Sequence, residues 1–272
     1  CVATGGKSMA EKIRTILVTG ATGGIGRAVC ERLATTGARV VLSARDPVRL
    51  AEFCEDLRLR TGHDHAAFAA DMTDDVSVAR FAEKLSGDAI ELDGAVLMPP
   101  QPHATGDSMP GNDAWRELFQ GSFIGPLALL REALERMKPD PTNGHRCKVV
   151  IISGISSAQV LSHYATSNVL RCAWLAQAKT LAFVLGERGI HVNTLSLGGT
   201  LSDWYKAGIE RRAKNASMTY DERIAEETSN VPLRKYGTPA EVAIAVEGLL
   251  SPFSDHMTGL NILHDGGFTR AY

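Results

Sequence analysis

A short apolar run, Ile16 to Val18, passes directly into a glycine-rich turn and then into a helix-patterned segment, and this junction limits the fold more than any other stretch. The run reads as a short buried strand. Gly20, Gly24 and Gly26 follow it, and Ile25, Val29 and Leu33 then recur at helical spacing. Strand, tight turn and helix start together make an anion site. Glycine lets the backbone approach a diphosphate closely, and the first helical N–H groups and the helix dipole favour negative charge. The spacing is Gly-x3-Gly-x-Gly, not the Gly-x-Gly-x2-Gly of the commoner dinucleotide fingerprint. A second strand-like run, Arg39-Val-Val-Leu-Ser43, stands at the distance a βαβ unit requires, so the turn reads as a nucleotide site and not as a bare reversal of the chain.

The rest of the chain alternates between the same two patterns. Helical spacing covers Pro47–Thr61 and residues 75–85, 113–137 (bent near Gly125-Pro126) and a stretch from His163 or Tyr164 to about Gly189. Strand patterns fall at 66–70, 92–98, 148–153, 190–195 and 261–263. Thr238 and Glu241 have capping-box spacing ahead of a helix over Pro239–Leu250. This alternation predicts a single Rossmann-like α/β domain over residues 13–272: one doubly wound, mostly parallel sheet with helices on both faces. The 272 residues, 44% hydrophobic, suffice for one such core. Residues 1–12 read as a flexible extension; their Gly5-Gly-Lys-Ser8 lacks the earlier glycine and the strand of a phosphate loop.

Composition excludes several classes. A net charge of −2 provides no basic field for nucleic acid or an anionic membrane, and no apolar run is long enough to span a bilayer. Cys1, Cys30, Cys54, Cys147 and Cys172 are scattered without metal-ligand spacing, which predicts no metal site and fits reduced thiols in a cytoplasmic protein.

Thr19-Gly-Ala-Thr-Gly-Gly-Ile-Gly26, Asp71, the Tyr164 region, Asn193-Thr-Leu-Ser-Leu-Gly198 and the tail Thr258-Gly…Asp265-Gly-Gly267 together resemble the short-chain dehydrogenase/reductase family, from about Thr15 to Gly267. The resemblance implies cofactor contacts at Thr19, Gly20, Gly24, Ile25, Gly26, Asp71, Met72, Gly198 and Ser202. It also implies a small-molecule substrate under a lid near residues 199–230, and a homodimer or homotetramer. Asp71 has a second reading, since Thr73 or Asp74 begins the next helix and any of them can cap it. The family's acidic ribose-binding position falls on Ala44, and Arg45 follows. A basic residue there suits a 2′-phosphate, so NADP is expected over NAD.

The chain departs from the family where chemistry is done. Leu97-Met-Pro-Pro100 replaces Asn-Asn-Ala-Gly, which removes the asparagine amides and two N–H donors. Ser122 stands where the family carries the asparagine of a proton relay. In the family, a tyrosine exchanges the proton, a lysine one turn later lowers its pKa and holds the nicotinamide ribose, and a serine polarises the carbonyl. Here Tyr164 is present, Asn168 replaces the lysine, and the serine position falls on Gly154, with Ser153, Ser156 and Ser157 nearby. The expected catalytic set is Tyr164, Asn168, Ser156 and Ser122, with Asn168 also at the cofactor. A tyrosine titrating at about 10 without a neighbouring cation is a poor base at neutral pH. Arg171, seven residues after Tyr164 and on the same helix face, is a candidate to restore that charge. The implied activity is NADP-dependent hydride transfer to or from a small carbonyl, alcohol or activated alkene. A nucleotide-binding protein without dehydrogenase chemistry and a non-redox enzyme on this fold remain open alternatives.

Overall fold

The computed structural model describes residues 13–271, so the expected N-terminal extension lies outside it. Seven strands are present among the described residues: β1 (Thr15–Thr19), β2 (Arg39–Ser43), β3 (Ala66–Ala67), β4 (Gly94–Leu97), β5 (Cys147–Gly154), β6 (Ile190–Leu197) and β7 (Asn261–His264). They lie in the order β3-β2-β1-β4-β5-β6-β7, and every pairing is parallel. The strand order reverses between β1 and β4, which opens a crevice at their C-terminal ends, where such sheets bind ligands. β1, β4, β5 and β6 are buried along their whole length, as apolar runs covered on both faces must be.

Helices α1 (Gly24–Thr35), α2 (Pro47–Thr61) and α9 (Pro239–Leu250) cover one face, packing Val29, Leu33, Leu50, Leu57, Val242 and Val246 into one core. Helices α3 (Asp75–Gly87), α5 (Gly125–Glu135) and α6 (Ala165–Leu185) cover the other with Phe81, Leu85, Leu129, Leu130 and Trp174. Burying each such side chain contributes about 1.5–3 kcal/mol. The capping box forms as expected: Glu241 N–H donates to Thr238 Oγ1 (3.2 Å) and Thr238 N–H to Glu241 Oε2 (2.8 Å).

The long helix expected over 113–137 is divided, and its irregularity precedes Gly125-Pro126. α4 (Asn112–Phe119) passes through a π-helical turn, Gln120–Ile124, into α5. Pro126 falls in the first turn of α5, where a missing N–H costs little. Close packing explains the glycine: a Cβ at Gly125 would lie 1.6 Å from the Met72 carbonyl oxygen. The third strand is shorter than expected, although Phe68 and Ala70 still donate to Leu42 O (2.9 Å) and Ala44 O (3.0 Å). No described helix is long and apolar enough to cross a membrane, and no described cluster of His, Cys, Asp or Glu could hold a metal ion.

Candidate active site

The glycine-rich turn is shaped by one backbone conformation and one close contact that favour glycine. Gly20 leaves β1 with φ +62°, a left-handed conformation that glycine adopts without strain. A Cβ at Gly26 would lie 2.1 Å from Gly20 O, so helix α1 packs directly on the turn. Thr19 ties β1 to β4 by accepting from Met98 N–H (2.7 Å), and Ile25 packs back against the core. No side chain caps α1, which leaves its first N–H groups for an anion. A second helix start meets them. Ser202 Oγ caps α7 (Asp203–Asn215) by accepting from Tyr205 N–H (3.4 Å), and a Cβ at Gly24 would lie 3.0 Å from Ser202 Cβ and 3.8 Å from Asp203 N. Gly198 holds the floor of this region, donating to His264 O (3.0 Å) against Asp265.

The expected adenosine side is more open. Arg45 is exposed and has no ion pair among the described residues. Arg49, which the sequence reading did not single out, lines a pocket with Thr22, Arg27, Glu52, Phe53 and Asp56 beside the glycine turn. Of the two roles considered around Asp71, helix capping goes to Asp74, which accepts from Val76 N–H (3.0 Å). Asp71 Oδ1 instead accepts from Thr73 N–H (2.9 Å) and Thr73 Oγ1 (2.7 Å). Met72 is buried, its carbonyl beneath Gly125.

Beyond the strand ends, Tyr164 is the N-cap residue of α6, one position before the helix begins. Its segment is pinned to the loop after β4, because Ala165 N–H donates to Thr105 O (3.0 Å). Asn168 sits on the first turn and spends its amide on the chain ahead of Tyr164: Nδ2 donates to Leu161 O (3.1 Å) and Oδ1 accepts from Leu161 N–H (3.4 Å). Arg171 follows about two turns after Tyr164 on the same helix. Its guanidinium carbon lies 5.2 Å from the Tyr164 ring centroid, and Nη1 donates to buried Ser156 Oγ (2.8 Å). Nε and Nη2 both donate to Gln101 Oε1 (3.1 and 3.0 Å), and Gln101 Nε2 donates to Pro99 O (3.0 Å). The side chain of Arg171 fills the space left by Gly154, where a Cβ would lie 2.4 Å from its Cζ. Burial lowers the Arg171 pKa, and Tyr164 opposes that shift.

Tyr164, Arg171 and Ser156 are thus brought together, whereas Asn168 faces Leu161. Ser157 belongs to a different buried network, with Ser196 (3.0 Å) and Asn261 (3.5 Å). Ser122 lies in the π-turn, buried, with its carbonyl accepting from Trp174 Nε1–H (2.8 Å). Gln101 carries no motif of its own, and the only signal for it along the chain is its position directly after two prolines, which fix the backbone.

The expected lid forms two helices, α7 and α8 (Tyr220–Glu227). Arg212 donates to both carboxylate oxygens of Glu227 (2.7 and 2.9 Å), Arg223 Nε adds a third bond (2.6 Å) and Tyr236 OH a fourth (3.2 Å). Tyr205 meets Tyr236 edge to face, 5.4 Å between centroids. Burial raises the Tyr205 phenol above its ordinary value, and Tyr164 and Glu227 add to that.

A parallel sheet with a glycine cradle at its switch point, and a tyrosine–arginine cleft beyond it, defines a Rossmann-type nucleotide-binding enzyme class. The family model described as enoyl-(acyl carrier protein) reductase matches residues 20–269. The chain belongs to that family, within the short-chain dehydrogenase/reductase superfamily, and its catalytic centre is atypical. Among its relatives, a diacetyl reductase [(S)-acetoin forming] of Staphylococcus epidermidis is 28% identical, over 93% of this chain and 98% of the relative. An L-rhamnose 1-dehydrogenase (NAD(P)(+)) of Azotobacter vinelandii is 29% identical, over 93% and 96%. The NADPH-bound structure of a short-chain oxidoreductase from Pseudomonas aeruginosa PAO1, described as containing an atypical catalytic centre, is 27% identical with a TM-score of 0.79, covering 95% of this chain and 98% of that one.

Proposed function

We propose that this protein is an NADP-dependent oxidoreductase that moves hydride between the nicotinamide and a small carbonyl or alcohol substrate. The observation that carries this reading is the meeting of two helix starts at Gly24 and Ser202, beside the strand ends that lead to Tyr164 and Arg171. The uncapped first turn of α1 and the side-chain-free surface at Gly20, Gly24 and Gly26 fit a diphosphate. Thr19, Ile25, Gly198 and Ser202 complete that cradle, Asp71 and Met72 border the adenine side, and Arg45 with Arg49 supplies charge for a 2′-phosphate. Bound NADPH supplies the hydride. Tyr164 gives its proton to the substrate oxygen. Asn168 holds the Leu161 peptide that leads into Tyr164, Ser156 orients Arg171, and Ser122 lines the approach from the π-turn. Residues 199–230 close over the substrate within a single domain spanning 13–272.

The relatives named above support this reading, two through small carbonyl or sugar substrates and one through bound NADPH. The buried thiols of Cys30 and Cys54 suit the cytoplasm. Exposed Phe183 and Val184 on α6 suit a homodimer or homotetramer. A second reading, nucleotide binding without turnover, draws on Asn168: an amide committed to Leu161 supplies no cation to Tyr164. The experiment that separates the two is NADPH titration by fluorescence, followed by a panel of small ketones, aldehydes and enones monitored by NADPH absorbance. Saturable binding with oxidation on the panel supports the oxidoreductase. Binding without oxidation favours the second reading, and no binding removes both.

A further inference from the structure

Arg171 carries more charge and more donors than its partners use. A guanidinium has five N–H groups. Bonds to Ser156 and Gln101 engage one on each nitrogen, which leaves one N–H on each terminal nitrogen. Both acceptors are neutral, and among the described residues no carboxylate stands within ion-pair distance of it. A half-buried cation without an anion has lost water it would otherwise keep, and arginine does not shed its proton to escape that cost. The scaffold nevertheless holds it in one place. Gly154 clears its seat, Ser156 and Gln101 fix two edges of the fork, and the bond from Gln101 to Pro99 fixes the glutamine. The Tyr164 ring lies 5.2 Å away, so the cation and the tyrosine are direct neighbours.

We propose that Arg171 is the oxyanion anchor of this cleft, gripping the substrate oxygen that bears negative charge. Two sources share this chemistry. One is the alkoxide formed when hydride bonds to the carbonyl carbon, the C=O π pair moves to oxygen and NADPH becomes NADP+; Tyr164 then protonates that oxygen. The other is a carboxylate beside the reacting carbonyl, already charged on binding. The alkoxide source rests on the oxidoreductase reading, and the carboxylate source does not.

The test compares the wild type with Arg171→Gln, Arg171→Lys and Gly154→Ala, each first checked for NADPH affinity within threefold of wild type. Gly154→Ala keeps the arginine but places a methyl in its seat, so it separates loss of position from loss of the residue. Kinetics use acetone, diacetyl and pyruvate, and oxamate is titrated into the NADPH complex as a probe that needs no turnover. If Arg171 anchors the alkoxide, Arg171→Gln lowers kcat about 100-fold or more on every carbonyl reduced, the size seen when one oxyanion donor is removed, with oxamate affinity unchanged. If Arg171 anchors a carboxylate, Arg171→Gln raises the KM for pyruvate and the Kd for oxamate at least tenfold and leaves acetone alone. Arg171→Lys recovers part of either loss, and Gly154→Ala shares it. Arg171-dependent oxamate binding in a wild type that oxidises no NADPH keeps the anchor and removes the oxidoreductase reading. Arg171→Gln within twofold of wild type in both readouts, or a wild type with neither turnover nor Arg171-dependent oxamate binding, overturns the anchor.

Discussion

The guanidinium of Arg171 occupies the seat that any side chain at residue 154 would need, with its carbon 2.4 Å from where a Cβ at Gly154 would stand. A side chain at 154 and this position of the Arg171 guanidinium therefore exclude each other. Gln101, which follows the unusual Pro99-Pro100 pair, binds the same guanidinium through Nε and Nη2. Three departures that look unrelated along the chain converge on one cation.

Removing the acceptor at 101 tests that convergence. A hydrogen bond to a charged group is worth about 1.5–3 kcal/mol when buried, and Gln101 is exposed, so the low end applies. Gln101→Leu is expected to lower kcat about tenfold through loss of Arg171 position, with NADPH affinity unchanged. Steady-state kinetics beside a fluorescence titration checks both halves.

Gly26→Ala addresses the cradle. The added methyl meets Gly20 O at 2.1 Å, backbone against backbone, with no flexible side chain to yield. Overpacking of this kind costs about 1–3 kcal/mol. The variant should melt at a lower temperature and bind NADPH at least tenfold more weakly; calorimetry and titration read these separately.

Acid should weaken the fold through His65. Its Nδ1 accepts from Val40 N–H (3.0 Å), which requires the neutral ring. Burial, with His63 and Arg58 adding to it, holds its pKa down from 6.5 to about 4. The unfolded chain therefore takes up the proton more readily. The stability this neutral ring contributes is full above about 6.5, declines as pH falls toward about 4, and is gone below that. Thermal midpoints of wild type and His65→Gln should differ most near neutral pH and converge near pH 4; a constant gap would contradict the assignment.

The lid is fastened chiefly at Glu227, whose carboxylate takes bonds from Arg212, Arg223 and Tyr236. Its pKa is held below the ordinary value, first by Arg212. Glu227→Ala leaves two arginines and a phenol without their shared acceptor. Proteolytic cleavage within 201–230 should accelerate several-fold, with KM for the carbonyl substrate rising more than kcat falls.

What the sequence made legible follows from which forces are local. Apolar periodicity and the glycine spacing are local, and they gave the sheet, its parallel sense and the cradle at Gly20, Gly24 and Gly26. The Thr238–Glu241 capping box is likewise a matter of spacing. The irregularity lies at Gln120–Ile124, just before the expected Gly-Pro bend, and the close approach of Gly125 to Met72 that bars a side chain there joins segments far apart in sequence. The same limit applies to the cleft. Ser156 and Arg171 were both candidates by position, but their mutual bond, the gap at Gly154 and the role of Gln101 depend on how β5, α6 and the loop after β4 meet. Asn168 shows the reverse: its place one turn after Tyr164 was plain, while the direction of its amide toward Leu161 was not.

The account depends most on a diphosphate gripped at Gly24 and Ser202 and a 2′-phosphate met by Arg45. Titration of NADPH and NADH into the wild type and Arg45→Glu, followed by nicotinamide fluorescence, tests this directly. The account predicts saturable binding with NADPH favoured over NADH by tenfold or more, and a preference that collapses in Arg45→Glu while NADH affinity holds. A wild type that binds neither dinucleotide would contradict it.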